Sequence, residues 1–288
     1  MKTTAKRLIE RTAHTPMAWF TYGLCGRLGH YFGQIYNHAR WVRENIERDA
    51  ALARIVDDLF PTLTVASGPF QGLRYPHPRS VGSALLPKLL GSYESELHAG
   101  LEQLLANEYD TVVDVGCAEG YYAVGLGLRL GKAEIYAFDT DSRGRAACAE
   151  MARLNGVDSR VHIGGLCDKK VLHSLPLGAK ALIVADCEGY EKELFDGEMC
   201  RFLARHSLII EAHDFIDIDI SSCLRASLSG LHHVQSIKST DDIQKAHTYQ
   251  YAQLEKYDTK ERHLILGERR PAIMEWLVAT PLETSGEG

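Results

Sequence analysis

Residues 111–120 read Thr-Val-Val-Asp-Val-Gly-Cys-Ala-Glu-Gly, a short apolar run that ends in a glycine turn, and helical spacing follows from Tyr121 to Leu130. The β-branched residues at 112, 113 and 115 favour a strand, and Gly116 and Gly120 permit a sharp turn. Strand, glycine turn and helix in that order open a nucleotide-binding α/β sheet. The spacing is DxGxxxG and not the GxGxxG of a pyrophosphate turn, where backbone N–H groups and a helix N-terminus meet a doubly charged anion. Two carboxylates, Asp114 and Glu119, stand in or beside the turn. They repel a diphosphate and attract ammonium and sulfonium groups. At an effective dielectric of about 20, one carboxylate about 4 Å from an ammonium contributes on the order of 4 kcal/mol before desolvation. The sign of that term favours S-adenosylmethionine over NAD.

Working outward, Glu134 to Phe138 is a second strand and Arg143 to Leu154 a second helix. Arg160 to Ile163, Ala181 to Ala185 and Ser207 to Ala212 are further apolar strands, with a helix from Glu191 to Arg205. Strands that alternate with helices, and that are apolar on both faces, imply a parallel sheet covered on both sides. Two late strands, near His233–Ile237 and Glu275–Thr280, bring the expected sheet to seven and are antiparallel in part. Upstream, Gln34 to Leu59 is helical and stopped by Pro61, Leu63 to Pro78 is a hairpin or loop, and Tyr93 to Leu105 is a helix. The expected organisation is a helical N-terminal extension over 1–60 and a catalytic domain over 61–288. Glu283 to Gly288 is a polar tail expected to fray.

In such a sheet, ligands sit beyond the carboxyl ends of the strands. Asp139 ends the second strand, followed by Thr140, and accepts both ribose hydroxyls of NAD or adenosyl ligands alike. After the third strand, Gly164-Gly165-Leu166-Cys167-Asp168 is expected to edge the adenine. Asp114, Gly116, Cys117, Glu119, Gly120, Asp139, Thr140, Leu166, Cys167 and Asp168 are therefore candidate cofactor contacts. Asp114 or Asp139 alone also suits a helix N-cap.

These residues carry a resemblance. VVDVGCAEGYYAVGL (112–126), AFDTD (137–141), DCEGYEKELFD (186–196) and IIEAHD (209–214) resemble the FkbM-like branch of the class I S-adenosylmethionine-dependent methyltransferases, over about Gly91 to Asp214. DCEGYE is similar to that branch's DxEGxE signature, and Tyr93-Glu94 is similar to a Tyr-Glu pair upstream of its glycine turn. Val184 departs from the pattern, because the family often has a lysine two positions before the DxEG aspartate. The resemblance implies a Rossmann-like fold and O-methylation of sugars or other hydroxyl-bearing metabolites, with Tyr93, Glu94 and Asp186 at the cofactor.

Methyl transfer from a sulfonium is an in-line displacement, in which the protein mainly aligns the reactants. A hydroxyl acceptor also needs a base or a metal ion. Asp186 follows the fourth strand, and Glu211 and His213, two apart, end the fifth on one side. His213 is the expected general base, oriented by Glu211 or Asp186, because imidazole titrates near neutral pH. The same three groups suit a divalent ion such as Mg²⁺ or Mn²⁺. Glu268-Arg269-Arg270-Pro271 is either an exposed turn or a basic pair at the acceptor mouth. A protein or RNA N-methyltransferase is the less favoured enzyme, since DCEG stands where NPPY or DPPY would. A non-catalytic adenosyl-binding module is the alternative outside the enzymes.

Composition narrows the rest. The 288 residues hold 32 Lys and Arg against 38 Asp and Glu, so no global field draws the chain onto nucleic acid. No apolar run reaches the roughly 18 residues of a bilayer span. Seven cysteines without a CxxC pair argue against disulfides or a zinc knuckle and suit a cytoplasmic protein. Lys2, Lys6, Arg7 and Arg11 precede Met17, Trp19, Phe20, Tyr22 and Leu24. This segment is expected to be a basic helix docking its aromatic face on the body. The alternatives are a peripheral membrane helix, a lid or a homodimer contact.

Overall fold

The computed structural model describes residues 15–282. The basic residues before Thr15 and the tail after Leu282 lie outside them. Seven strands form one sheet: β1 (Thr111–Val115), β2 (Glu134–Phe138), β3 (Val161–Gly164), β4 (Ala181–Ala185), β5 (Ser207–Ala212), β6 (His232–Lys238) and β7 (Glu275–Pro281). Their order is β3-β2-β1-β4-β5-β7-β6. The pairs among β1 to β5 are parallel, whereas β7 runs antiparallel to both β5 and β6. This is the seven-stranded, mainly parallel Rossmann-like α/β sheet that the strand pattern led us to expect. β1 and β4 are buried at every position, which is why their sequences are apolar throughout and not alternating. Leu224 and Leu228 of the helix Ile220–Leu228 join Ile183, Leu208, Ile210 and Leu277 in the core of one face.

Several helices differ from expectation, each for a local reason. The helix expected over 93–105 begins only at His98. Before it, Gly91 ends a six-residue helix, Leu85–Leu90, in the left-handed region, and Glu94 also has positive φ. The helix expected over 191–205 is two, Glu191–Leu194 and Gly197–Phe202. Asp196 separates them and caps the second by accepting from the Glu198 and Met199 amides. Thr64 and Arg74 form a single antiparallel bridge within the expected hairpin.

The chain divides into two compact units, Met1–Arg54 and Ile55–Gly288. In the first, helix is continuous from Pro16, and the element ends at Leu59. Along this helix Met17, Phe20, Leu24, Leu28, Tyr31 and Ile35 are all about half exposed or more.

Candidate active site

A cavity of about 470 Å³ opens at the carboxyl ends of β1, β2, β4 and β5. It lies where the winding reverses between β1 and β4, the place an open α/β sheet offers a ligand. The turn after β1 is drawn tight against the end of β4. Asp186 donates its amide to the Val115 carbonyl at 2.8 Å. Gly116 has φ of 91°, and a Cβ there would stand 1.7 Å from the Asp186 carbonyl oxygen. No other residue fits. Three further residues on this wall, Ala118, Glu188 and Arg269, hold positive φ without being glycine. Such backbone strain collects where a site must be held in one shape.

Tyr93, Asp114, Gly116, Cys117, Asp139, Thr140, Leu166, Cys167, Asp186, Glu211 and His213 all line the cavity. The carboxylate of Asp139 is fixed by the amides of Ala118 at 2.8 Å and Asp141 at 2.7 Å. Its remaining lone pairs are free to accept from hydroxyls. Asp114 is buried, its Oδ2 has no hydrogen-bond partner, and burial pushes its carboxyl up to about 8. Asp186 Oδ1 also accepts no hydrogen bond, although His213 Nε2 lies 3.3 Å away. Burial raises that carboxyl to about 6 against the opposing pull of His213. The Cys117, Cys167 and Cys187 thiols are all raised, Cys117 chiefly by a hydrogen bond with the free Cys148 thiol and the other two by burial, so none is a thiolate nucleophile near neutrality.

Four residues expected at the cofactor do not line the cavity. Glu119 is turned away into a buried ion pair with Lys88 at 2.6 Å, and it also accepts from the Ser80 hydroxyl and the Val81 amide. Burial would raise its carboxyl, but Lys88 and these donors outweigh that and lower it. Its charge is thus matched inside the protein, and it does not supply the repulsion expected of it toward a diphosphate. Gly120 sits behind the turn as the N-cap of the helix Tyr121–Arg129. Asp168 caps the helix Lys169–Ser174 through the Val171 amide, a helix too short to stand out in the sequence. Glu94 binds the Tyr122 hydroxyl and Arg270.

His213 is buried, and its Nδ1 lies 2.8 Å from Glu191 Oε1. Glu191, not Glu211 or Asp186, is therefore its orienting group. Burial would raise the Glu191 carboxyl, but the hydrogen bond and charge of His213 hold it low. An ionised Glu191 accepts the Nδ1 proton, which leaves Nε2 directed at Asp186 Oδ1, 3.3 Å away, and Glu188 Oε2, 3.5 Å away. Burial alone would lower the imidazole pKa, but Glu191, with Asp186 and Glu188, outweighs it and raises it.

Glu211 is held instead by Arg270, which also binds Glu94 at 2.6 Å and Glu268 at 2.8 Å. The guanidinium lies over the Trp276 ring, 4.7 Å from its centre. Arg270 is thus neither an exposed turn residue nor a free cation at the mouth. Burial, with Asp186 next, raises the Glu211 carboxyl well above the usual range despite Arg270. Asp186, Glu211 and His213 do converge, each offering a donor atom within 4.8 Å of the others. The guanidinium already on Glu211 opposes a divalent ion at that point, so the donor set does not fit a metal centre. Sequence reasoning left Glu191 without a role, although it closes the DCEGYE motif.

No family model matches the chain, and no curated protein matches it. Among solved structures it is similar to precorrin-6y C5,15-methyltransferase from Geobacter metallireducens, at 11% identity and TM-score 0.45 over 63% of this chain and 86% of that one. It is similar to precorrin 8w decarboxylase from Methanobacterium thermoautotrophicum, at 19% and 0.39 over 64% and 88%. It is also similar to geranyl diphosphate C-methyltransferase from Streptomyces coelicolor, solved with Mg²⁺, geranyl diphosphate and S-adenosyl-L-homocysteine, at 14% and 0.44 over 79% and 98%.

Proposed function

We propose that the chain is an S-adenosylmethionine-dependent methyltransferase acting on a hydroxyl of a small or carbohydrate-like acceptor. The observation that carries this is the buried, unpartnered carboxylate oxygen Asp114 Oδ2, in the cavity at the ends of β1 and β4. A carboxyl kept in its neutral form by burial lacks a cation beside it, and a ligand with ammonium and sulfonium groups provides one. Asp139 accepts from the ribose hydroxyls, while Leu166 and Cys167 border the base. When bound, the cofactor supplies a methyl group on a sulfonium leaving group. His213 Nε2 takes the acceptor hydroxyl proton as the new C–O bond forms and the C–S bond breaks, and Glu191 stabilises the resulting imidazolium. Asp186, beside Nε2, holds the acceptor in line.

Isothermal titration tests the first half: S-adenosylmethionine binds, NAD does not, and Asp114→Asn weakens binding about tenfold or more, the worth of one charge-assisted contact. Absence of binding at about millimolar cofactor, a Kd too weak for a built site, defeats the reading. His213→Ala tests the second half. It abolishes turnover and spares cofactor affinity. A variant that still turns over at the native rate removes His213 from the chemistry.

A further inference from the structure

We propose that the helix of the first unit is a surface anchor that lies in the interface of an anionic lipid bilayer. Met17, Phe20, Leu24, Leu28, Tyr31 and Ile35 recur every three or four residues, so at about 3.6 residues per turn they form one stripe. All six are exposed, from 48% to 82%. Charge identifies what covers them. Residues 1–43 hold seven Lys and Arg and one Glu, and no acidic residue stands between Glu10 and Glu44, whereas the rest of the chain holds twenty-five against thirty-seven. Arg27 and Arg43 flank the stripe on either side, Arg43 in an exposed pair with Glu47 at 2.7 Å that a phosphate can replace, and long basic side chains so placed reach headgroups while the apolar face sinks about 5–10 Å. Seven of the chain's 24 aromatic residues fall between Trp19 and Trp41, a composition suited to the headgroup layer.

Two other occupants fit less well. A second copy of the helix would need a seam of at least three or four heptads with complementary flanking charges. Here the line continues through His38, Val42, Asn45 and Asp49, so polar residues take three of the four places beyond Ile35, and the charges from Arg27 to Arg43 all have one sign. A membrane crossing is excluded as well, since no helix among the described residues is long and apolar enough. Gly23, Gly26, Gly29 and Gly33 each weaken a helix in water by roughly 0.8–1 kcal/mol relative to alanine. An interface that restricts water at the backbone offsets that cost.

The test is flotation of the full chain with vesicles of phosphatidylglycerol and phosphatidylcholine, against phosphatidylcholine alone, at roughly 0.1 M salt. The chain is expected to float with the anionic vesicles only. Leu24→Asp with Leu28→Asp abolishes this, and Arg27→Glu with Arg43→Glu lowers partitioning about thirtyfold or more, near fivefold for each charge lost. Far-UV circular dichroism confirms that each variant is folded, and the wild-type dependence on anionic lipid needs no variant. A wild-type chain that stays with the unbound fraction on anionic vesicles overturns the proposal. So does a folded Leu24→Asp, Leu28→Asp chain that floats equally well, or sedimentation showing that the stripe pairs two chains without binding lipid.

Discussion

At the scale of single residues, the chemistry turns on which proton His213 carries. Its Nδ1 faces Glu191 at 2.8 Å and its Nε2 faces the cavity, so the imidazole acts as a base only when Nε2 is unprotonated. Because the imidazole pKa is raised, activity is expected to climb with pH through an inflection above about 6.5. Glu191→Gln removes a negative charge beside Nδ1. It should move that inflection to lower pH and reduce kcat, with the KM for cofactor little changed. A profile of kcat/KM against pH for the two proteins decides the matter, and an unmoved inflection counts against the pairing. Asp186, Glu211 and His213 were readable as convergent because strand ends and two-residue spacing fix where side chains emerge. Glu191 was not, because its meeting with His213 spans 22 residues and depends on how a one-turn helix packs.

At the scale of elements, the segment from the bridge at Thr64–Arg74 to the helix Leu85–Leu90 braces the glycine turn from behind. Lys88 reaches Glu119, and both side chains are nearly fully buried, at 4% and 3% exposure. Removing one partner leaves an uncompensated charge inside the protein, so Lys88→Met is expected to cost about 3–5 kcal/mol in a urea titration. Replacing both, as Lys88→Met with Glu119→Leu, should recover much of the loss. A single variant as stable as the double would show that the pair does not support the turn. The apolar strands could be read from sequence because burial on both faces leaves a strong, local signature. The short helices could not. Leu85–Leu90 contains Pro87, and its role follows from an ion pair spanning 31 residues that no periodicity records.

At the scale of the molecule, the strand order places four carboxyl ends around one cavity, and three carboxyls there are held toward their neutral forms by burial. Ligand binding should therefore be coupled to protons. In the free protein Asp114 carries its proton below about pH 8, and a bound cation favours the ionised form. Affinity, and with it thermal stabilisation at fixed ligand, is expected to rise from pH 6 to about 8. At about 100-fold excess over Kd the ligand adds about 2.7 kcal/mol. Differential scanning fluorimetry across that range checks this, with Asp114→Asn flattening the dependence. A pH-independent shift, or an equal one with NAD, removes Asp114 from the cation's environment.

Arg270 gathers carboxylates from before the helix His98–Leu105, from β5 and from the loop ahead of β7. Three of the five guanidinium N–H donors are taken, and the single positive charge is outnumbered by the carboxylates around it. An acceptor that brings its own carboxylate or phosphate therefore meets no uncompensated cation at that wall of the cavity.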